Sequence, residues 1–245
     1  MLVGLVSAKG SPGVTTTALA LAGVPGPGPE RLFVELDPAG GDVECWTGLT
    51  GEPGLVRVVS DLRRAAHPDA LLMHAVDVPC GVRSVLAPTA EPEAASTIAV
   101  AGERLGPALD AIGGLVVVDG GRWSPGQPTA RRLDGCAVVG VVCTPTLAGI
   151  EHGRWLVESL RRTLDVTVAV VLVGARPYSA DEVAAVVGAP VAGTMAWDPR
   201  GVNALLVGGT GRGWGRCALA RSARAVLEGL LTLGHADDVQ VSADA

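Results

Sequence analysis

Ser7-Ala8-Lys9-Gly10-Ser11-Pro12-Gly13-Val14-Thr15-Thr16-Thr17 is the stretch from which the fold of the chain is read. It follows an apolar β-type run, Leu2–Val6, and leads into a helix-forming stretch, Val14–Gly23. A glycine-rich turn between a strand and a helix aims backbone N–H groups at one spot. The helix N-terminus adds positive potential there, so the turn can cradle a phosphate. Thr15 stands where such a loop places the hydroxyl that ligands Mg²⁺. Taken alone, the same residues also suit a tight glycine turn that binds nothing.

Beyond this stretch, β-branched runs recur at Arg31–Leu36, Val82–Leu86, Leu115–Asp119, Ala137–Cys143, Val166–Val173 and Pro190–Thr194. Several are apolar on consecutive residues, as in parallel strands covered on both faces. Between them lie helix-forming stretches at Leu55–Ala66, Glu93–Leu109, Gly149–Leu164, Ala180–Val187 and Cys217–Leu233. Alternating strands and helices predict an α/β fold: a doubly wound, mostly parallel sheet flanked by helices. One domain is expected over residues 1–234, followed by a polar, acidic tail over 235–245.

Composition narrows the function classes. Of 245 residues, 48% are hydrophobic and 18% charged, which suits a large buried sheet and excludes disorder. The net charge of −6 does not suit a chain that coats nucleic acid, although Arg212, Arg216, Arg221 and Arg224 form a local basic cluster. That cluster reads as a solvated face in preference to a nucleic-acid phosphate contact, which stays open as the less favoured alternative. Five cysteines without a CxxC pair suit a reducing compartment and neither a disulfide framework nor a zinc site. The four histidines lack metal-ligand spacing, and no nucleophile–His–acid set stands out. With no signal-peptide pattern at the start and no apolar run of about 20 residues, a soluble cytoplasmic protein is expected. Lys9 is the only lysine; the other 18 basic residues are arginine. A flexible point charge kept at that one position has a reach that the planar guanidinium fork does not.

KGSPGVTT, residues 9–16, resembles the deviant Walker A motif of the MinD/ParA family, K-G-G-x-G-K-[ST]-[ST]. Lys9 matches the signature lysine, which in that family reaches across a dimer interface to the partner's nucleotide. Gly10 and Gly13 match loop glycines, and Thr15 and Thr16 match the terminal pair. Ser11 replaces a glycine, and Val14 replaces the P-loop lysine. The second change removes a charge-assisted contact to phosphate, typically worth about 1.5–3 kcal/mol, and with it stabilisation of phosphoryl transfer.

Two further segments extend the resemblance in order. Phe33-Val34-Glu35-Leu36-Asp37-Pro38-Ala39-Gly40-Gly41-Asp42 is similar to the switch I segment D-x-D-P-x-G-N, with Glu35 for the first aspartate. Asp37 would then position the attacking water or contact Mg²⁺ through water. Leu115–Asp119, followed by Gly120-Gly121, is similar to a Walker B strand and switch II, with Asp119 holding the Mg²⁺ hydration shell. Later, Gly174-Ala175-Arg176 lies where the family has Asn-Arg near the adenine, and Pro190–Asp198 resembles its base-side strand and loop. The likeness covers roughly residues 1–233 and is weakest over 53–110. There, Pro53-Gly54-Leu55, Leu62-Arg63-Arg64, His74 and Val85-Leu86-Ala87-Pro88 are similar to the degenerate CpaE/TadZ-like branch, tied to pilus or secretion-system placement.

The resemblance implies a nucleotide-responsive positioning or assembly protein that uses ATP (or ADP) with Mg²⁺. It would form a homodimer and bind a protein partner of a pilus, secretion or partitioning system. The implied catalytic residues are Asp37 and Lys9; the nucleotide-binding set is Lys9, Gly10, Ser11, Gly13, Val14, Thr15 and Thr16; the metal residues are Thr15 and Asp119. Because Val14 replaces the lysine, hydrolysis is expected to be slow or absent. The alternatives are a pseudo-ATPase scaffold that binds no nucleotide, and an active ATPase using Lys9 or an arginine instead. Trp46 and Trp123, which follow the two switch-like segments, suit either core or a partner surface.

Overall fold

Consecutive apolar residues need cover on both sides, and the computed structural model supplies it with one eight-stranded sheet between two layers of helices. The structure describes residues 1–9, 12–49, 54–64, 69–127, 129, 133–208 and 214–243, with 236–243 as backbone only. The strands are β1 (Leu2–Ser7), β2 (Arg31–Glu35), β3 (Val76–Asp77), β4 (Arg83–Val85), β5 (Leu115–Arg122), β6 (Val138–Cys143), β7 (Thr167–Val173) and β8 (Val191–Met195). Their order is β3-β4-β2-β5-β1-β6-β7-β8. Every pairing is parallel except β3–β4, where a two-residue antiparallel strand closes one edge.

The helices are α1 (Val14–Ala22), α2 (Val43–Thr47), α3 (Gly54–Arg64), α4 (Ala70–Met73), α5 (Glu91–Ala101), α6 (Leu105–Asp110), α7 (Leu147–Thr163), α8 (Ala180–Val187), α9 (Pro199–Asn203) and α10 (Ala218–Ala243). Side chains alternate between the two faces with the period of a strand. On β5, Val116 and Val118 join the core under α3 to α8, while Leu115 and Val117 join the core shared with α1 and α10. Leu2 and Val6 of β1 divide from Val3 and Leu5 in the same way. Trp214 ties the second layer down by donating its indole N–H to the Gly23 carbonyl at 3.2 Å.

The helix expected over Glu93–Leu109 is two helices. At Gly102 the chain takes φ 57°, a left-handed value that ends α5, and a 3₁₀ turn over Gly102–Arg104 leads into α6. The last helix continues past residue 235, where the sequence suggests a tail; after Gly234 no glycine or proline interrupts it. Leu219, Ala223, Val226, Leu227 and Leu230 of α10 are buried against the sheet and α1. Among the described residues no helix is long and apolar enough to cross a membrane.

α8 has the bounds its sequence predicts because both ends are marked. Ser179 Oγ accepts from the Glu182 N–H at 3.3 Å, Glu182 Oε2 accepts from the Ser179 N–H at 2.8 Å, and Gly188 closes the other end. Replacing the exposed Ser179 by alanine removes half of this reciprocal cap. The expected cost is about 1 kcal/mol, seen by calorimetry as a Tm lower by roughly 2–4 °C.

Candidate nucleotide-binding site

β1 lies between β5 and β6, so the chain leaves the sheet in opposite directions on its two sides. Ligand crevices form at such a switch point, outside the carboxyl ends of the strands. The loop after β1 opens there. Gly13 is the N-cap of α1 with φ 94° and ψ 37°, its carbonyl accepts from the Thr17 N–H at 2.9 Å, and no side chain caps the helix. The first amides of α1 are therefore left to the cavity of about 410 Å³ lined by Gly13, Val14, Thr15 and Thr16. Gly10 and Ser11 lie outside the described residues.

Val14 is 6% exposed and belongs to the core cluster of α1 and α10. The position where a P-loop keeps its lysine is filled by an aliphatic side chain that packs inward. Lys9 is exposed and lines a different space, a cleft of about 680 Å³ shared with Asp37, Arg122, Trp123, His152 and Trp155. The sequence-predicted residues thus separate. Thr15, Thr16, Gly13, Val14 and Asp37 meet in one cavity, and Lys9 faces the neighbouring one.

Strand register brings the carboxylates together. Glu35 of β2 and Leu5 of β1 both pair with Asp119 of β5. Asp119 is 1% exposed. Its Oδ1 accepts from the Gly121 N–H at 2.9 Å, and its Oδ2 is buried without a hydrogen-bond partner among the described residues. Burial pushes its pKa up to about 7; the nearby Thr15 hydroxyl and the Gly121 N–H offset part of the rise, while Asp37 and Asp42 add to it. Glu35 is pushed up to about 8, first by burial and then by Asp119, against three backbone donors. Those donors are Asp42 and Val43 on Oε1, at 3.0 and 3.1 Å, and Ala87 on Oε2 at 3.1 Å.

Asp37 is half-buried and accepts from the Ala39 N–H at 2.8 Å; burial raises its pKa. Its carboxyl lies directly over Gly121, where a Cβ would collide with Cγ and both oxygens. Gly121 also has φ 59°, so both space and backbone exclude a side chain there. Trp123 is fully buried, whereas Trp46 is 39% exposed. Trp46 joins the 410 Å³ cavity to an apolar one of about 420 Å³, lined also by Val173, Met195, Trp197, Pro199 and Leu219. Asp198 beside it is committed to structure, accepting from the N–H groups of Gly201 and Leu219 at 2.9 and 3.2 Å.

The result is one cleft with a polar end of carboxylates and uncapped helix amides, and an apolar end bearing exposed tryptophan. Residues present at the polar end fit a Mg²⁺-phosphate group: an orphaned buried carboxylate oxygen, a hydroxyl beside it and a helix N-terminus. Among the described residues no three His, Cys, Asp or Glu side chains form a metal cage. A Mg²⁺ ion bound with phosphate needs only one or two protein groups, the rest of its shell being phosphate and water.

The structure is similar over most of its length to a ParA family ATPase from Chlorobium tepidum, with a TM-score of 0.74 and 18% identity, covering 94% of this chain and 97% of that one. The chain has the ParA/MinD fold. The septum site-determining protein MinD from Pyrococcus horikoshii, complexed with Mg-ADP, matches with a TM-score of 0.62 and 14% identity over 93% and 94% of the two chains. An ATP complex of a Cyanothece McdA variant matches with a TM-score of 0.63 and 15% identity over 94% and 95%. No protein-family model and no curated protein matches the sequence. Within the ParA/MinD fold, Arg122 lies outside the sequence motifs yet lines both the loop cavity and the Lys9 cleft. Its signal was a lone cation directly after Gly120-Gly121.

Asp119 and Glu35 set a pH dependence whose sign follows from their raised pKa values of about 7 and about 8. In the unfolded chain both carboxyls titrate near pH 4 (about 3.9–4.3), so between about pH 4 and pH 8 the folded state binds more protons. Stability is greatest below about pH 4 for these two groups and declines as pH rises through the folded values. Asp119→Asn removes one of them. It is expected to raise stability at pH 8 by about 2 kcal/mol, roughly 4–8 °C in Tm, and to change little at pH 4, checked by calorimetry at both pH values.

Proposed function

We propose that this chain is a member of the MinD/ParA family: a cytoplasmic, nucleotide-responsive positioning or assembly protein that binds Mg-ATP or Mg-ADP and hydrolyses ATP slowly or not at all. The observation that carries this reading is the buried Oδ2 of Asp119, near Thr15 and without a hydrogen-bond partner among the described residues, together with the uncapped start of α1. A buried polar atom without a partner is costly, and a hydrated cation at that spot would satisfy it. The MinD and McdA neighbours are complexes with Mg-ADP and ATP, which supports the same class of ligand.

In this reading the amides of the loop and of α1 bind phosphate, and the Thr15 hydroxyl and Asp119 hold the metal's hydration shell. Bound Mg²⁺ supplies charge neutralisation between phosphates. Asp37, fixed over Gly121 and accepting from Ala39, orients water at the same end. Val14 contributes packing and no charge, which accounts for slow chemistry. Lys9 faces outward into a cleft with the exposed Trp155 and His152, a surface suited to a second copy of the chain. A partner from a pilus, secretion or partitioning system is the class proposed from the sequence resemblance, and MinC in the Aquifex aeolicus complex with MinD is one protein partner of a structural neighbour.

A second reading, a scaffold with no nucleotide, is favoured by one observation, the burial of Val14 in the core. Calorimetric titration with ATP and Mg²⁺ separates the two. The first expects saturable heat that weakens at least about tenfold when Mg²⁺ is omitted, together with a dimer in sedimentation that Lys9→Ala loses. Silence at millimolar nucleotide, with dimerisation indifferent to Lys9→Ala, would establish the scaffold instead.

A further inference from the structure

With valine at position 14 the 410 Å³ cavity receives no cation from its own loop, and Lys9 lines the neighbouring cleft instead. One arginine does line that cavity. Arg122 is the last residue of β5, registered opposite Ser7 at the foot of the loop. The next residue anchors the backbone there, since the Trp123 N–H donates to the Ser7 carbonyl at 2.8 Å. Arg122 is exposed, its side chain makes no hydrogen bond or ion pair with a described residue, and it is the only Lys or Arg among the described residues lining this cavity. An arginine beside Asp37 and Asp42 that pairs with neither keeps its donors available.

We propose that Arg122 is the phosphate-binding cation of this site, supplied from the end of β5 in place of the missing loop lysine. The proposal rests on the reading of the cavity as a nucleotide site and assigns that site its charge. A guanidinium presents a planar fork that meets two phosphate oxygens at once. Position decides which phosphate. The apolar cavity adjoins the loop cavity through Trp46, Pro12, Gly13 and Thr16, and Arg122 is absent from it. Arg122 lies instead on the wall shared with the Lys9 cleft. A base in the apolar cavity therefore sends the far end of its polyphosphate chain toward Arg122, which reads the terminal phosphate and not the first.

Calorimetric titration of the full chain with Mg-ATP, Mg-ADP and AMP tests this in wild type, Arg122→Ala and Arg122→Lys. Arg122→Ala is expected to weaken Mg-ATP about 10- to 100-fold, leave AMP within about twofold, and keep the wild-type Tm because the side chain is exposed. Arg122→Lys is expected to recover part of the loss. Equal Mg-ATP affinity in wild type and Arg122→Ala overturns the proposal while leaving the nucleotide reading intact. An equal loss for AMP and ATP also overturns it, since that is the mark of a structural effect. Absence of binding by wild type to all three nucleotides overturns the nucleotide reading and the role of Arg122 together.

Discussion

A carboxylate removed from water costs several kcal/mol unless its oxygens find donors or counter-charge. Glu35 and Asp119 are both removed from water, on adjacent strands and at the same register level. What surrounds them follows from that constraint. Glu35 gathers three backbone N–H groups from two separate segments, and so ties the start of α2 to the chain after β4. Among the described residues Asp119 accepts a hydrogen bond from Gly121 alone, on one oxygen, with the Thr15 hydroxyl nearby. One carboxylate is spent on architecture, and its neighbour is left with an oxygen to offer.

Sequence legibility divides along the same line. The main strands are legible because β5 and β7 are short runs, β-branched and apolar on consecutive residues, as strands covered on both faces are. α8 is legible because its cap and its terminating glycine are local signals. The break at Gly102 and the short elements α2, α4, α9 and β3 are not. They are too brief for a period to show, and tertiary contacts decide them. Within the site, Thr15, Asp37 and Asp119 could be placed from motif order. The work of Glu35 could not, because its longer side chain reaches donors at residues 42, 43 and 87 that no local pattern connects. Nor could the separation of Lys9 from Thr15, which depends on where two cavities part.

Val14 shows how one position can change its contribution. Burying a valine side chain stabilises a fold by about 1.5–3 kcal/mol, and Val14 is 6% exposed within the α1 and α10 core. A lysine at this place would direct its charge into the cavity and contribute little to that packing. At position 14 the loop has packing in place of charge, and Arg122, whose side chain has no partner among the described residues, lines the same cavity.

The contact of Asp37 with Gly121 has a mechanical consequence. The loop after β2 and the end of β5 touch with no room for even a methyl group between them. A side chain at position 121 would drive the Asp37 carboxyl off its seat and part the two segments.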